Sequence, residues 1–244
     1  MKKISLVCVL SLLLLSLETS YGSSQPVEKI LEKMIAAQGG KEKLASIKDS
    51  TVSGTLEMIP MSSTGPITVY WKKSCKRRAD IELMGIKITQ AYDGKLAWMI
   101  NPQAGDTPQE MPEKFSNALK RQALGYNALL NPGKYGINFT LKGKEKIKDK
   151  DYLVLVQTYA DGQTATLYID PGTYLTYKVK STSFNQMGAE VEAESFLSDY
   201  KEVNGIMVAH TIKTSQAGQD YMKVTLKTVS YNSGLEDSLF QMNQ

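Results

Sequence analysis

Residues 190–229 constrain the fold most, because they predict three consecutive antiparallel strands. The strands span Glu190–Lys201, Ile206–Thr214 and Asp220–Val229, and both junctions contain a glycine. Asn204-Gly205 at the first junction accepts the positive φ angles of a tight hairpin. Apolar and polar residues alternate along the last two strands, which is typical of a sheet with one apolar and one solvated face. Such a sheet needs other groups to cover its apolar face.

The remaining chain predicts more strands, arranged in two series. About five strands follow one another between Thr51 and Ile100, and further strands occupy residues 137–181. Together with the last three strands this gives about 11 or 12. An antiparallel sheet of that size curls. We therefore predict a mainly β fold, built on one large curled antiparallel sheet with covering helices.

Three segments predict the helices that cover this sheet. Pro26–Gln38 places apolar residues at the i, i+3, i+4, i+7 spacing of an amphipathic helix, and Lys41–Ile47 predicts a second helical turn. Glu113–Leu124 predicts a helix between the two series of strands. It follows a proline-rich loop, Asn101–Pro112, and precedes an irregular segment, residues 125–136. We interpret this loop–helix–loop insertion as a lid on the concave side.

The first 22 residues, Met1–Gly22, have the composition of a secretory signal peptide. Lys2 and Lys3 precede an apolar run, Ile4–Leu17, and small residues follow at a cleavage site. The run is shorter than the ~20 residues of a membrane-spanning helix, so an uncleaved anchor is the weaker alternative. We predict cleavage, export to the periplasm and a single soluble domain over residues 23–244.

The charge balance excludes some functions and leaves one basic cluster unexplained. With 29 basic and 25 acidic residues the chain is too mildly positive to predict nucleic-acid binding. The basic cluster consists of Lys72, Lys73, Lys76, Arg77 and Arg78. One interpretation is a solvated strand edge, where lysines oppose edge-to-edge pairing. The other is a docking patch for an acidic partner or an anionic lipid surface.

The sequence predicts no catalytic residue, no metal site and no cofactor. His210 is the only histidine, and it lies on the apolar face of a predicted strand, so we interpret it as a core residue. Cys75 is the only cysteine after the signal peptide, which excludes an internal disulfide; we interpret it as a strand residue. Glu190, Glu192 and Glu194 share a strand face that solvent contact explains more simply than acid–base chemistry or metal binding. We expect that the protein is not an enzyme.

Soft apolar residues are the feature that most suggests binding. Ten of the eleven methionines follow residue 22, including Met187 beside a predicted strand. Methionine adapts to irregular gaps and varied guests, although ordinary core packing explains many such residues. The candidate residues for the lining of a cavity between sheet and lid are Leu56, Met58, Trp71, Leu83, Ile88, Trp98, Phe115 and Leu119.

Several short motifs carry a resemblance to a known family. The motifs are Gln38–Leu44 after the first helix, Tyr92–Lys95 leading to Trp98 and Asn101-Pro102, Tyr168–Asp170 with Tyr174-Leu175, Leu197–Ile206 with His210 and Ile212, and Asp237–Phe240. In these residues the chain resembles a divergent branch of the LolA/LolB-like outer-membrane lipoprotein-sorting proteins. The resemblance covers nearly all of the chain after the signal peptide.

This resemblance implies an incomplete, half-open β-barrel wrapped over helices, with a hydrophobic cavity for acyl chains. It further implies a monomeric carrier of lipid or lipoprotein acyl chains, with an inner-membrane donor, an outer-membrane acceptor protein and transient membrane contact. A shield of this kind has a clear physical purpose. Each buried CH₂ is worth about 0.8 kcal/mol, so a long acyl chain left in water costs on the order of 10 kcal/mol.

Two functions of other classes stay open from the sequence. The same fold serves an envelope sensor or protein-interaction module without transport, and the basic cluster would then be its docking surface. An enzyme that uses His210 as its base is the weakest alternative.

Overall fold

The computed structural model of the protein describes residues 25–185 and 188–242. The predicted signal peptide and Met187 lie outside these residues. Thirteen strands of the described residues form one antiparallel sheet. They are β1 (Asp49–Met58), β2 (Ser63–Lys72), β3 (Lys76–Leu83), β4 (Ile86–Tyr92), β5 (Ala97–Asn101), β6 (Gly105–Glu110), β7 (Asn138–Ile147), β8 (Lys150–Thr158), β9 (Thr164–Ile169), β10 (Thr176–Phe184), β11 (Glu190–Val203), β12 (Ile206–Gln216) and β13 (Gln219–Tyr231).

The sheet consists of two meanders, β1–β6 and β7–β13, which pair with each other through β1 and β13. The strand order runs from β6 back to β1, crosses to β13 and runs back to β7. β6 and β7 are therefore the two edges, and the chain between them must pass from one edge of the sheet to the other. The predicted mainly β fold is confirmed, and the curled sheet stays half-open.

Four α-helices and three short 3₁₀ segments accompany the sheet in the described residues. The helices are α1 (Gln25–Ala37), α2 (Lys41–Ser46), α3 (Glu113–Ala123) and α4 (Asn127–Leu130). The 3₁₀ segments are Ile59–Met61, Pro132–Tyr135 and Asp237–Phe240. None of the described helices combines the length and the apolar character needed to cross a membrane.

We call the face of the sheet that carries the helices the inner face. Ile30 and Met34 of α1 form a buried cluster with Leu155 and Ile169. Leu44 of α2 packs with Trp71 and Ile206. Leu119 and Ala123 of α3 pack with Tyr92, Ala97 and Met111. The strand pairings place these strand residues on one side of the sheet.

Two of the sequence motifs meet where α1 ends. The Gly39 position, at φ +126°, lies so close to the β11–β12 hairpin that a β-carbon there would be 2.3 Å from the Gly205 carbonyl oxygen. The Met207 amide also donates to the Gln38 carbonyl. Only glycine permits this approach, so the spacing of the helices from the sheet depends on these two turns.

Two expectations from the sequence are wrong. The predicted loop 101–112 contains the short edge strand β6, in which Pro108 is tolerated because an edge residue does not need to donate to a neighbouring strand. Cys75 lies in the turn between β2 and β3, with φ +59°, and not in a strand. A three-residue reversal between paired strands requires a left-handed residue.

Candidate functional site

The helices cover the inner face unevenly. α1 covers β8 and β9, α2 and α4 cover the adjoining ends of β2 and β12, and α3 covers β4 and β5. These contacts concentrate at the end of the central strands that holds Trp71, Tyr92 and Ile206. The opposite end of the same strands receives no buried cluster in the described residues.

An apolar band occupies that less covered end. Ile67, Ile81 and Ile88 pair with one another across β2, β3 and β4, and further apolar residues continue the row across the sheet. We define the inner band as Val52, Ile67, Val69, Ile81, Ile88, Ile212 and Val224, which share the face of Trp71. All seven are half-buried, and none belongs to the four buried clusters of the described chain. Each of these side chains therefore keeps part of its surface accessible.

A separate apolar pocket of about 490 Å³ lies between α1 and the edge strand β7. Its lining is mainly apolar and includes Val27, Leu31, Ile137, Phe139 and Leu141. The volume lies within the range of about 300–1,000 Å³ that small-molecule sites occupy. An apolar space therefore lies beside α1 on the inner side of the sheet.

α3 crosses the inner face and contacts strands of both meanders. On one side, the Trp71 indole nitrogen Nε1 donates to the Ala123 carbonyl at 2.7 Å. On the other side, the Phe115 and Phe184 rings meet edge to face with centroids 4.8 Å apart. The Arg121 guanidinium forms an ion pair with Asp161 in the β8–β9 turn. α3 makes few contacts with the second meander, as expected for a lid that opens on that side.

Three small pockets surround the Arg121–Asp161 ion pair. Their volumes are about 160, 260 and 170 Å³, and Arg121 lines all three. The wall on the sheet side includes Ala165 and Val179. The three pockets follow a groove between α3 and β9–β10, and the Arg121–Asp161 ion pair crosses this groove.

The eight predicted lining residues separate into four groups, and Trp98 alone forms the last of them. Leu56, Met58, Leu83 and Ile88 lie on the inner face at the same end as the inner band. Trp71 on β2 and Leu119 on α3 lie in buried clusters between the helices and the sheet. Phe115 lies on α3 against Phe184. None of the eight borders the 490 Å³ pocket.

Trp98 lies on the outer face, apart from the others. Its partner in β4 is Ala91, and its indole nitrogen Nε1 donates to the Phe240 carbonyl at 2.8 Å. Phe240 is fully buried there, so the C-terminal 3₁₀ segment covers this tryptophan. We therefore leave Trp98 out of the candidate site.

Four of the five residues in the basic cluster contact other parts of the chain. Lys72 and Lys76 form ion pairs with Asp237 at 2.6 and 2.8 Å, and these two lysines lower the pKa of Asp237 to about 2. Lys73 donates to the Ala45 carbonyl, and Arg78 pairs with Asp80 at 2.8 Å. Lys72 and Lys76 thus hold the C-terminal segment and Lys73 holds α2, whereas Arg78 forms its ion pair on the outer face. The four cations do not form an open cationic surface.

Arg77 is the exception, because it lies on the inner face. It stands between Trp71 on β2 and Tyr92 on β4 in the strand register. The structure gives its guanidinium no hydrogen bond, ion pair or aromatic contact with any described residue. Burial lowers the pKa of Arg77 to about 10, so it remains charged at neutral pH.

His210 and two of the three glutamates considered from the sequence have structural partners. His210 is 8% exposed, and its Nδ1 lies 2.9 Å from the Val208 carbonyl, as expected for a core histidine. Glu192 pairs with Lys180 and Glu194 with Lys178. The described residues contain no cluster of His, Cys, Asp and Glu side chains that would suit a metal ion.

The sequence interpretation missed several residues of this site. Val69, Ile67 and Ile81 follow the same alternation as the predicted residues, and that alternation is the signal that identifies them. The contacts of α3 with Phe184 and Asp161 had no such signal, since they join residues far apart in the chain.

Comparisons with known proteins establish the fold. No protein-family model and no curated protein sequence matches the chain. Among solved structures it is similar to a LolA superfamily protein from Nitrosomonas europaea, with a TM-score of 0.60 and 16% identity over 88% of this chain and 96% of that one. A DUF1329 family protein from Desulfovibrio piger gives a TM-score of 0.58 and 14% identity over 88% and 97%. A Vibrio parahaemolyticus protein, described as an outer membrane lipoprotein-sorting protein domain, gives 0.57 and 13% over 89% and 97%. The chain has a LolA-like fold.

Proposed function

We propose that this chain, which has a LolA-like fold, binds the hydrocarbon chains of a lipid or lipoprotein on the inner face of its sheet. The observation that carries the proposal is the inner band. Seven apolar side chains share one face of the sheet and are half-buried, yet they lie outside the buried clusters. An apolar guest would complete their burial without a rearrangement of the sheet.

The energetic argument favours a guest of considerable length. Burial of apolar surface is worth about 25 cal/mol per Å², and each CH₂ of an acyl chain contributes about 0.8 kcal/mol. A band that crosses several strands offers many such contacts to one chain. The 490 Å³ pocket beside α1 offers room for a second chain or for the end of the first.

We further propose that α3 is a lid at the helix-covered end of the inner face, over the groove between α3 and β9–β10 that lies beside the inner band. Its Trp71 and Leu119 contacts anchor it to β2–β5, whereas Phe115 and Arg121 hold it to the β8–β10 side. Release of the second set would widen the groove while the first set acts as the hinge. The lid would then admit an acyl chain without unfolding.

The biological role that we propose is that of a periplasmic carrier in the sorting of outer-membrane lipoproteins or in a related transfer of envelope lipids. The signal-peptide pattern of Met1–Gly22 supports export. A carrier of this type would receive its cargo from an inner-membrane donor and deliver it to an outer-membrane acceptor, in transient contact with each membrane.

The test measures bound lipid and lipid uptake. We expect native mass spectrometry of protein purified without detergent to show adducts with lipid masses, and a fluorescent fatty acid to bind the delipidated protein. Ile81→Gln and Ile88→Gln should each weaken probe binding several-fold, because they place an amide in the inner band.

Ile100→Gln is the matched control, since Ile100 is a half-buried isoleucine whose pairing with Thr89 places it on the opposite face. Probe binding should be unchanged in this variant. A protein that is free of lipid and takes up no probe would refute the proposal and leave protein interaction as the function of the fold. Equal weakening by all three variants would show that the effect is not specific to the inner band.

A further inference from the structure

Arg77 occupies an unusual environment for a charged side chain. Its register neighbours Trp71 and Tyr92 are only 7% and 6% exposed, and both pack against α3. Two residues further along the same face of β3 lies Ala79, and then Ile81 of the inner band. Arg77 is thus the charged residue at the helix-covered end of an apolar row.

The residues that the structure describes supply no counter-ion for this charge. Arg78 and Arg121, the other two arginines of the sequence, each pair with an aspartate. On the inner face of β1–β5, the described strand residues include no carboxylate. An unpaired charge among apolar groups is unfavourable, because the surroundings replace its hydration incompletely.

The Arg77 guanidinium nevertheless remains within reach of a ligand. Every buried side-chain nitrogen and oxygen of the described residues has a hydrogen-bond partner. Since Arg77 has none, its nitrogen atoms are not sealed inside the protein and must contact solvent-accessible space. A planar guanidinium with free donors is well suited to carboxylate and phosphate oxygens, which it binds in a bidentate manner.

We infer that Arg77 binds the anionic head group of the ligand, so that the preferred guest is an anionic amphiphile. Its tail runs along the inner face of β3, past Ala79 and then Ile81 of the inner band, to Leu83. The inference rests on the proposed function. The dimensions agree with it. Arg77 and Leu83 are six residues apart on β3, which corresponds to about 20 Å of strand. One leaflet of a bilayer gives its acyl chains about 15 Å.

The test compares ligands that share one tail and differ in the head group. Oleate carries a carboxylate, 1-oleoyl lysophosphatidic acid carries a phosphate, and oleyl alcohol is neutral. Each would displace a fluorescent fatty acid from the full-length purified protein at neutral pH. Wild type should bind one or both of the anionic ligands at least about tenfold more tightly than the alcohol, as expected of charge-assisted hydrogen bonds. The stronger of the two identifies the head group.

Arg77→Met should remove this preference and leave the affinity for oleyl alcohol within about twofold, because methionine keeps an apolar stem and removes only the charge. Arg77→Lys keeps the charge without the bidentate geometry and should retain part of the preference. Arg78→Met is the matched control, because the adjacent residue points to the outer face and should leave selectivity unchanged. Arg77→Met should unfold at the same temperature as wild type or higher, since it removes an unpaired charge.

The outcomes separate the two levels of the proposal. Failure of all three ligands to bind wild type would overturn the proposed function and this inference with it. Binding of all three ligands with equal affinity would overturn only the inference. Equal losses for oleate and oleyl alcohol in Arg77→Met would also overturn it, since they would assign Arg77 a structural role.

Discussion

The contact between Gly125 and Trp71 determines how closely α3 lies on the sheet, and it can be tested by one methyl group. Gly125 follows the end of α3 with φ +51°. A β-carbon at this position would lie 2.4 Å from Nε1 and 2.5 Å from Cε2 of Trp71. The same indole nitrogen donates to Ala123, two residues earlier. The Gly125→Ala methyl would therefore push directly against the ring that anchors the helix.

The expected loss of stability has two parts. A non-glycine residue in the left-handed region costs about 1–2 kcal/mol, and overpacking of a buried site costs about 1–3 kcal/mol. Gly125→Ala should therefore lower the free energy of unfolding by about 2–5 kcal/mol. Gly218→Ala is the control, because Gly218 has φ +78° and no atom within 4 Å of the added methyl. It should lose only the backbone part, about 1–2 kcal/mol.

Urea unfolding followed by circular dichroism measures both variants. Tryptophan fluorescence gives a second readout, since Trp71 is the residue that the methyl displaces. If Gly125→Ala loses no more stability than Gly218→Ala, α3 does not rest on Trp71 as closely as described, and the assignment of this contact as the hinge of the lid is refuted.

Three further predictions concern single contacts. Arg121→Ala should lower the free energy of unfolding by at most about 1 kcal/mol, because its ion pair with Asp161 is partly exposed. In stopped-flow experiments this variant should bind a fluorescent fatty acid faster than wild type. An unchanged association rate would argue against the lid. Asp237→Asn should remove part of the acid destabilisation seen in thermal scans between about pH 4 and pH 2. In the folded protein the two lysines depress the pKa of Asp237 to about 2, so its stabilising effect is present above the ordinary pKa of 3.8 and is lost as the pH falls toward 2. Tyr200→Phe should cost about 1 kcal/mol in urea unfolding at neutral pH, since it removes a hydrogen bond of 2.6 Å to the Thr176 carbonyl. Burial raises the pKa of Tyr200 to about 12, so the stabilisation by this hydrogen bond is present below pH 10 and is lost as the pH rises through 12. Ultraviolet titration of the variant should lack one tyrosine that ionises near pH 12.

Local periodicity was sufficient to predict most of the fold. Apolar and polar residues alternate along β13 and the second half of β12, and their turns carry glycine, so these strands followed from the sequence. β6 did not follow, because its Gly-Asp-Thr-Pro-Gln-Glu sequence has no apolar alternation. It forms a strand since it is an edge, where one pairing with β5 is enough and proline does no harm.

The site was predicted less well, for reasons that particular residues make clear. In β5 the run Ala97-Trp98-Met99-Ile100 is apolar on both sides, so alternation does not tell which face Trp98 takes. The C-terminal segment that buries Trp98 lies about 140 residues away. Arg77 and Arg78 appeared as one basic cluster, yet neighbouring strand residues point to opposite faces. A charge count along the chain cannot distinguish an inner arginine from an outer one.

The topology explains why one end of the inner face is covered and the other is not. Since β6 and β7 are the two edges of the sheet, residues 111–137 have to pass from edge to edge, and α3 and α4 occupy that crossing. Their apolar contacts fix the crossing at the end of the strands that holds Trp71 and Tyr92. No other described helix is available for the opposite end, because α1 is used on β8 and β9. The inner band therefore lies outside the area that α3 and α4 cover, and the proposed hydrocarbon guest would complete the core there.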